Sequence, residues 1–175
     1  MPYQLGEEIA NAITHGIGVV LSIAGLVILV VKAAKYAPVE QEGYYITAFS
    51  IFGFSMIFLY LMSTLYHCLK RTKAYPVFER LDHSAIYILI AGTYTAYCLT
   101  ALRGTVGWWI FGLIWALAAA GVSLYAVFGK RLRAASVITY ILMGWIIIFA
   151  AAPLKAAISN LSWMLLLTGG VVYTA

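Results

Sequence analysis

The run VGWWIFGLIWALAAAGVSLYAVF, residues 106–128, holds 23 consecutive residues without one charged side chain. About 18 mostly apolar residues are enough for a helix to cross a hydrocarbon core roughly 30 Å thick. Working outward, five more runs meet or approach that length. They are 16–31, which stops at Lys32 and Lys35; 44–69, before Lys70, Arg71 and Lys73; 84–102; 134–152, closing at Pro153; and 159–175, still apolar at Ala175. Six apolar segments joined by short loops predict one all-α integral membrane bundle over 1–175, with no soluble domain.

Composition agrees. The chain is 64% hydrophobic and 10% charged, with a mean hydropathy of +0.95. Soluble domains run near 45–50% apolar and about 25% charged, and need polar side chains to cover their surface. A soluble enzyme, a disordered tail and a nucleic-acid binder are therefore excluded. The sequence pI of about 9.2 and formal charge of +5 are not a nucleic-acid signal here, because in so apolar a chain basic residues mark loop topology.

The start of the chain carries Glu7 and Glu8 where a cleaved signal peptide would be basic. The runs are continuous, unlike the short alternating strands of a β-barrel. Glycines within them (Gly16, Gly18, Gly25, Gly92, Gly112, Gly121, Gly144) suit close helix packing in lipid. Aromatic residues gather near the run ends, as at Tyr44–Tyr45, Trp108–Trp109 and Trp163, in the manner of an interfacial belt. The second and fourth loops hold seven basic residues (Lys70, Arg71, Lys73, Arg80; Lys130, Arg131, Arg133). The first, third and fifth hold four (Lys32, Lys35, Arg103, Lys155). The positive-inside rule then places the even loops and the N-terminus in the cytoplasm.

Polar residues at helix depth carry the functional signal, because lipid makes them costly. The chain has three histidines, His15, His67 and His83, and one aspartate, Asp82. Asn11 and His15 are four apart, with Glu7 one turn back on that ridge; Ser63 and His67 are also four apart. Asp82, His83 and Ser84 open the third run. The start of helix one, the end of helix two and the start of helix three share one side of the membrane. Glu7, Asn11, His15, Ser63, His67 and Asp82 are thus candidates for one polar cluster inside the cytoplasmic leaflet. Each also has a structural reading: His15 as a packing group, His83 facing headgroups, Asp82 favoured by a helix N-terminus, Ser63 bonding its own backbone. The run centres lack ionisable groups, which argues against a proton relay. Cys68 and Cys98 form neither a disulfide nor a metal pattern.

Three elements in order, Glu7-Glu8-x-x-Asn11-x-x-Thr14-His15, Ser63-Thr64-Leu65-Tyr66-His67, and Asp82-His83-Ser84 with Gly92-Thr93-Tyr94-Thr95, resemble the hemolysin III family. That family is the bacterial branch of the progestin and adipoQ receptor group, related to alkaline ceramidases. The resemblance covers essentially the whole chain. It implies a seven-helix bundle with a cytoplasmic N-terminus and a zinc ion near the cytoplasmic side, held by one histidine on the second helix and two on the seventh. Carried over, His67 is the metal ligand, and Ser63 and Asp82 are the catalytic, water-positioning pair. The chain departs from the pattern in that no histidine follows His83, so the seventh helix with its His-x-x-x-His is absent. The chain reads as a fragment of that fold, with zinc binding expected to be weak or absent.

The expectation is a bacterial inner-membrane protein of lipid homeostasis with a latent zinc-dependent lipid amide or ester hydrolase site. The alternatives are a non-enzymatic lipid-state sensor and a pore-forming cytolysin, the latter disfavoured because no run offers a polar lumen. Membrane lipids are the expected partners and nucleic acid is not; no feature of the sequence sets an oligomeric state.

Overall fold

The least apolar of the long helices lies at the centre of the molecule, and the others cover it. In a computed structural model of the chain, residues 5–174 are described, and the helices are α1 (Leu5–Tyr36), α2 (Glu42–Cys68), α3 (Tyr75–Cys98), α4 (Thr105–Phe128), α5 (Arg133–Trp145), α6 (Ala151–Ala157) and α7 (Asn160–Thr174). Ala175, the expected end of the last helix, lies outside the described residues. α1 packs along α2, α2 along α3, and α3 along α4 and α5. Three helical stretches, Leu5–Tyr36, Val39–Cys68 and Thr105–Ala157, are long and apolar enough to cross a membrane. The chain is an all-α, multi-pass membrane protein.

α3 is absent from those three because its first half carries Glu79, Arg80 and Asp82. It can carry them because neighbouring helices enclose it. Ala85 and Ala91 are fully buried, and Tyr87, Ile90, Tyr94 and Cys98 meet Ile110, Ile114 and Ala118 of α4, Tyr140 and Met143 of α5 and Leu154 of α6 in one core. Small residues set the spacing: a Cβ on Gly92 would lie 2.3 Å from Ser55 Oγ, and one on Gly121 would lie 2.4 Å from the Tyr87 ring. The outward face of α1 is the reverse of a soluble helix, with Ile13, Ile17, Val20, Leu21 and Val27 all exposed. In lipid that face is in its matching solvent.

The helix bounds differ from the apolar runs in three places. α1 begins at Leu5, not near Gly16, because the polar stretch through Glu8, Asn11 and His15 continues the same helix beyond its apolar part. α3 begins at Tyr75, with Pro76 in its first turn, where the missing N–H costs nothing. Asp82 is thus about two turns inside the helix, and a stabilising role at the helix N-terminus does not apply to it.

The fifth run is interrupted. After Trp145 the backbone tightens into a 3-10 segment, Ile146–Ala150, before α6 resumes with Pro153 in its first turn. Pro153 therefore does not close the helix as expected. Tyr94 of α3 clasps the break: its hydroxyl accepts from Ile147 N–H at 2.8 Å and donates to the carbonyls of Met143 and Gly144, at 2.8 and 3.0 Å. Backbone groups freed by the break are thereby paired in a region with no water to pair them. Tyr94→Phe should lower thermal stability in detergent by about 2 kcal/mol, the cost of leaving a buried group unsatisfied. Hydrogen exchange should accelerate at the Ile147 amide before any amide of α5. Unchanged exchange there would show that the clasp is not what holds the break.

Candidate functional site

Successive helices run in opposite directions, so the start of α1, the end of α2, the start of α3 and the end of α4 lie at one end of the bundle. Which α1 side chains reach the neighbours is set by the 100° turn per residue. Glu8 lies seven residues before His15, within about 20° of it around the helix, whereas Glu7 is about 80° away. The inward ridge is accordingly Glu8–His15. Glu7 and Asn11 are exposed, and the expected ridge through Glu7, Asn11 and His15 is corrected by one residue.

Glu8 joins α1 to α2. Its Oε2 accepts from His67 Nδ1 at 2.7 Å, and its Oε1 takes the Lys70 ammonium. Both Glu8 and His67 are nearly enclosed, with side-chain exposures of 12% and 13%. A carboxylate can only accept when ionised, so this contact places a proton on Nδ1 and turns Nε2 away from Glu8. His15 stands beside it, ring centroids 5.5 Å apart, and Tyr60 closes the other side at 6.1 Å. His15 Nδ1 is buried without a hydrogen-bond partner. Ser63, one turn before His67 on α2, is buried, and Asp82 on α3 is near enough to act electrostatically on His15. The structure thus sets His15 beside His67, with Ser63 on the His67 face of α2 and Asp82 within electrostatic range, and leaves Glu7 and Asn11 outside.

His83 belongs to a neighbouring group. Its Nδ1 donates to the Glu79 carbonyl at 2.9 Å, with Asp82 Oδ2 at 3.7 Å, and its ring stacks on Tyr125 at 5.1 Å. Tyr66 sits between the two groups, 4.8 Å from the His67 ring and 6.5 Å from the His83 ring. Glu8, Lys70 and Tyr66 were missed by the reading of the sequence. The spacing of seven from His15 pointed to Glu8; the other two follow from the packing of α2.

Among the described residues no three His, Cys, Asp or Glu side chains converge as a metal-holding group. The histidine-rich part offers two imidazoles, one with Nδ1 already engaged by Glu8. A carboxylate behind Nδ1 is the usual support of a metal-bound histidine, but the donor set is one short of the three a catalytic zinc needs. Cys68 is exposed and Cys98 lies in the core, so neither supplies the missing donor. These residues alone do not fit a zinc site.

Glu8→Gln should destabilise the detergent-purified protein by about 2 kcal/mol, because Lys70 and His67 lose the charge that compensates them in a nearly enclosed site. Glu7→Gln should stay within about 0.5 kcal/mol of the parent, as exposed substitutions do. Thermal unfolding of the two variants checks the assignment; the reverse order would put Glu7 at the interface.

The family described as Haemolysin-III related matches residues 3–175. Hemolysin-3 of Bacillus cereus is 47% identical over 168 residues, covering 96% of this chain and 75% of that protein. The Hemolysin-3 homolog of Bacillus subtilis (strain 168) is 46% identical over 172 residues, covering 98% of this chain and 79% of its own length. No solved structure matches the chain. The chain belongs to the Haemolysin-III related family.

Proposed function

We propose that this chain is a protein of bacterial plasma-membrane lipid homeostasis, its N-terminus cytoplasmic, that hydrolyses an amide or ester linkage of a lipid at the Glu8–His67 end of the bundle. The observation that carries this reading is the 2.7 Å contact between Glu8 and His67 Nδ1, which turns Nε2 away from the carboxylate; in the proposed reaction the neutral ring uses Nε2 as the base. The basic loops support the orientation: Lys70, Arg71, Lys73, Lys130, Arg131 and Arg133 all lie at that end.

The chemistry assigned to these side chains is general acid–base catalysis. His67 Nε2 takes a proton from water as its oxygen attacks the lipid carbonyl. Glu8 stabilises the imidazolium through Nδ1–H. The proton then passes to the departing amine or alkoxide, so that free acid and amine or alcohol leave. Ser63 and Asp82 position the water, and His15 supplies a second imidazole facing the reacting group. The family resemblance implies zinc, but the donors described do not complete its site, and no step here runs through a metal.

The relatives are named hemolysins. The interior of this bundle is filled by Tyr87, Ile90, Ile114, Ala118 and Met143, whereas a conducting path needs a polar lining. That packing favours a lipid-directed reading over a pore.

The test is product release from fluorescent ceramide and from a matching ester by the purified chain in nanodiscs. His67→Ala should lower the rate about a hundredfold or more, and Glu8→Gln about tenfold. Activity should survive a zinc chelator. Activity lost to the chelator and restored by zinc would overturn the metal-free chemistry. No release by the parent protein, or an unchanged rate in His67→Ala, would overturn hydrolysis. Restoration of a fluidity phenotype by His67→Ala in a deletion strain would then favour a sensor.

A further inference from the structure

Behind Tyr66 and His83, at the same end of the bundle, the start of α3, the end of α4 and the turn after α4 enclose a cleft of about 330 Å³. That volume is in the range of small-molecule sites, roughly 300–1,000 Å³. Its polar lining is Tyr75, Glu79, Arg80, Tyr125, Lys130 and Arg131. Three cations thus face one carboxylate. Glu79 is committed to Lys130 at 3.2 Å and to the Tyr75 hydroxyl at 3.2 Å. Arg80 and Arg131 have no ion-pair partner among the described residues.

Two ordinary explanations account for part of this. Cations after a helix C-terminus offset its dipole, which covers Lys130 and Arg131, and basic loops set topology. Neither explains why Arg80, from another helix, converges on the same cleft. An acceptor entering the cleft would meet two uncommitted guanidinium groups, whose planar forks suit a phosphate.

We propose that this cleft binds a phosphate group, carried by an anionic lipid headgroup or by a soluble phosphate ester. Arg80 and Arg131 take the phosphate oxygens. Phe128, part of the lining and half exposed, offers an apolar surface along which an acyl chain can leave the cleft. The site is distinct from the Glu8–His67 pair and does not depend on the hydrolytic reading.

The experiment counts bound dioleoyl phosphatidylglycerol and dioleoyl phosphatidylcholine on the detergent-purified full chain by native mass spectrometry, and titrates glycerol phosphate separately. The parent should retain the anionic lipid about tenfold better than the zwitterionic one. The double variant Arg80→Gln/Arg131→Gln should bring the two close to parity, while Arg103→Gln/Lys155→Gln, which removes the same charge elsewhere, should keep the preference. Glycerol phosphate binding with the same arginine dependence, without a lipid preference, would identify the soluble source and still support the site. Equal retention of both lipids with no glycerol phosphate binding, or binding that ignores Arg80 and Arg131, overturns the proposal.

Discussion

Within hydrocarbon no water is present to pair with an N–H or a C=O, so every polar group must find its partner inside the chain. Most of this structure follows from that constraint. Long helices satisfy the backbone by construction, and hydroxyls within them turn back to it: Thr64 to the Tyr60 carbonyl, Thr93 to Leu89, Thr95 to Ala91 and Thr139 to Ala135, all within 2.7–2.9 Å. Where the α-helix breaks, after Trp145, a side chain from another helix steps in: Tyr94 does so with one hydroxyl serving both as donor and as acceptor. The break survives because α3 is packed beneath it.

The same constraint explains why α3 can be the most polar of the long helices. A helix facing lipid must be apolar on its outer side, as α1 is. A helix enclosed by α2, α4 and α5 needs small residues for close approach and partners for its polar groups, and α3 has both. Trp115 Nε1 donates to Thr95 Oγ1 at 3.0 Å, and the Tyr140 hydroxyl donates to the His83 carbonyl at 2.7 Å. Polar side chains in α3 therefore mark its central position first, and chemistry only where a group is left over.

Apolar runs report contact with lipid, and this determines how much was legible. The 23 uncharged residues of 106–128 fall within α4 almost to the residue. The true start of α1 was hidden because its first turns leave the apolar zone while remaining helical. The location of His15, His67 and Asp82 at one end followed from helix order alone, since alternate crossing puts those segments on one side. The partner of His67 was harder: Glu7 and Glu8 are chemically equivalent, and only the angular register against His15 separates them. Tyr94 at the helix break and Arg80 at the cleft had no linear signal, because their roles depend on backbone from residues about fifty positions away.

Three buried polar atoms are left without partners among the described residues: His15 Nδ1, Ser22 Oγ and Tyr125 Oη. In a chain that pairs its polar groups so thoroughly, such leftovers carry more weight than any exposed charge. Two of the three belong to the same end of the bundle, one beside Glu8 and His67 and the other on Tyr125, whose ring backs the basic cleft. Between them runs a continuous line of ring contacts, from His15 to His67, Tyr66, His83 and Tyr125, each step no longer than 6.5 Å. Edge-to-face and stacked rings at these separations are favourable pairings, so the cleft and the Glu8–His67 contact are joined by one aromatic wall.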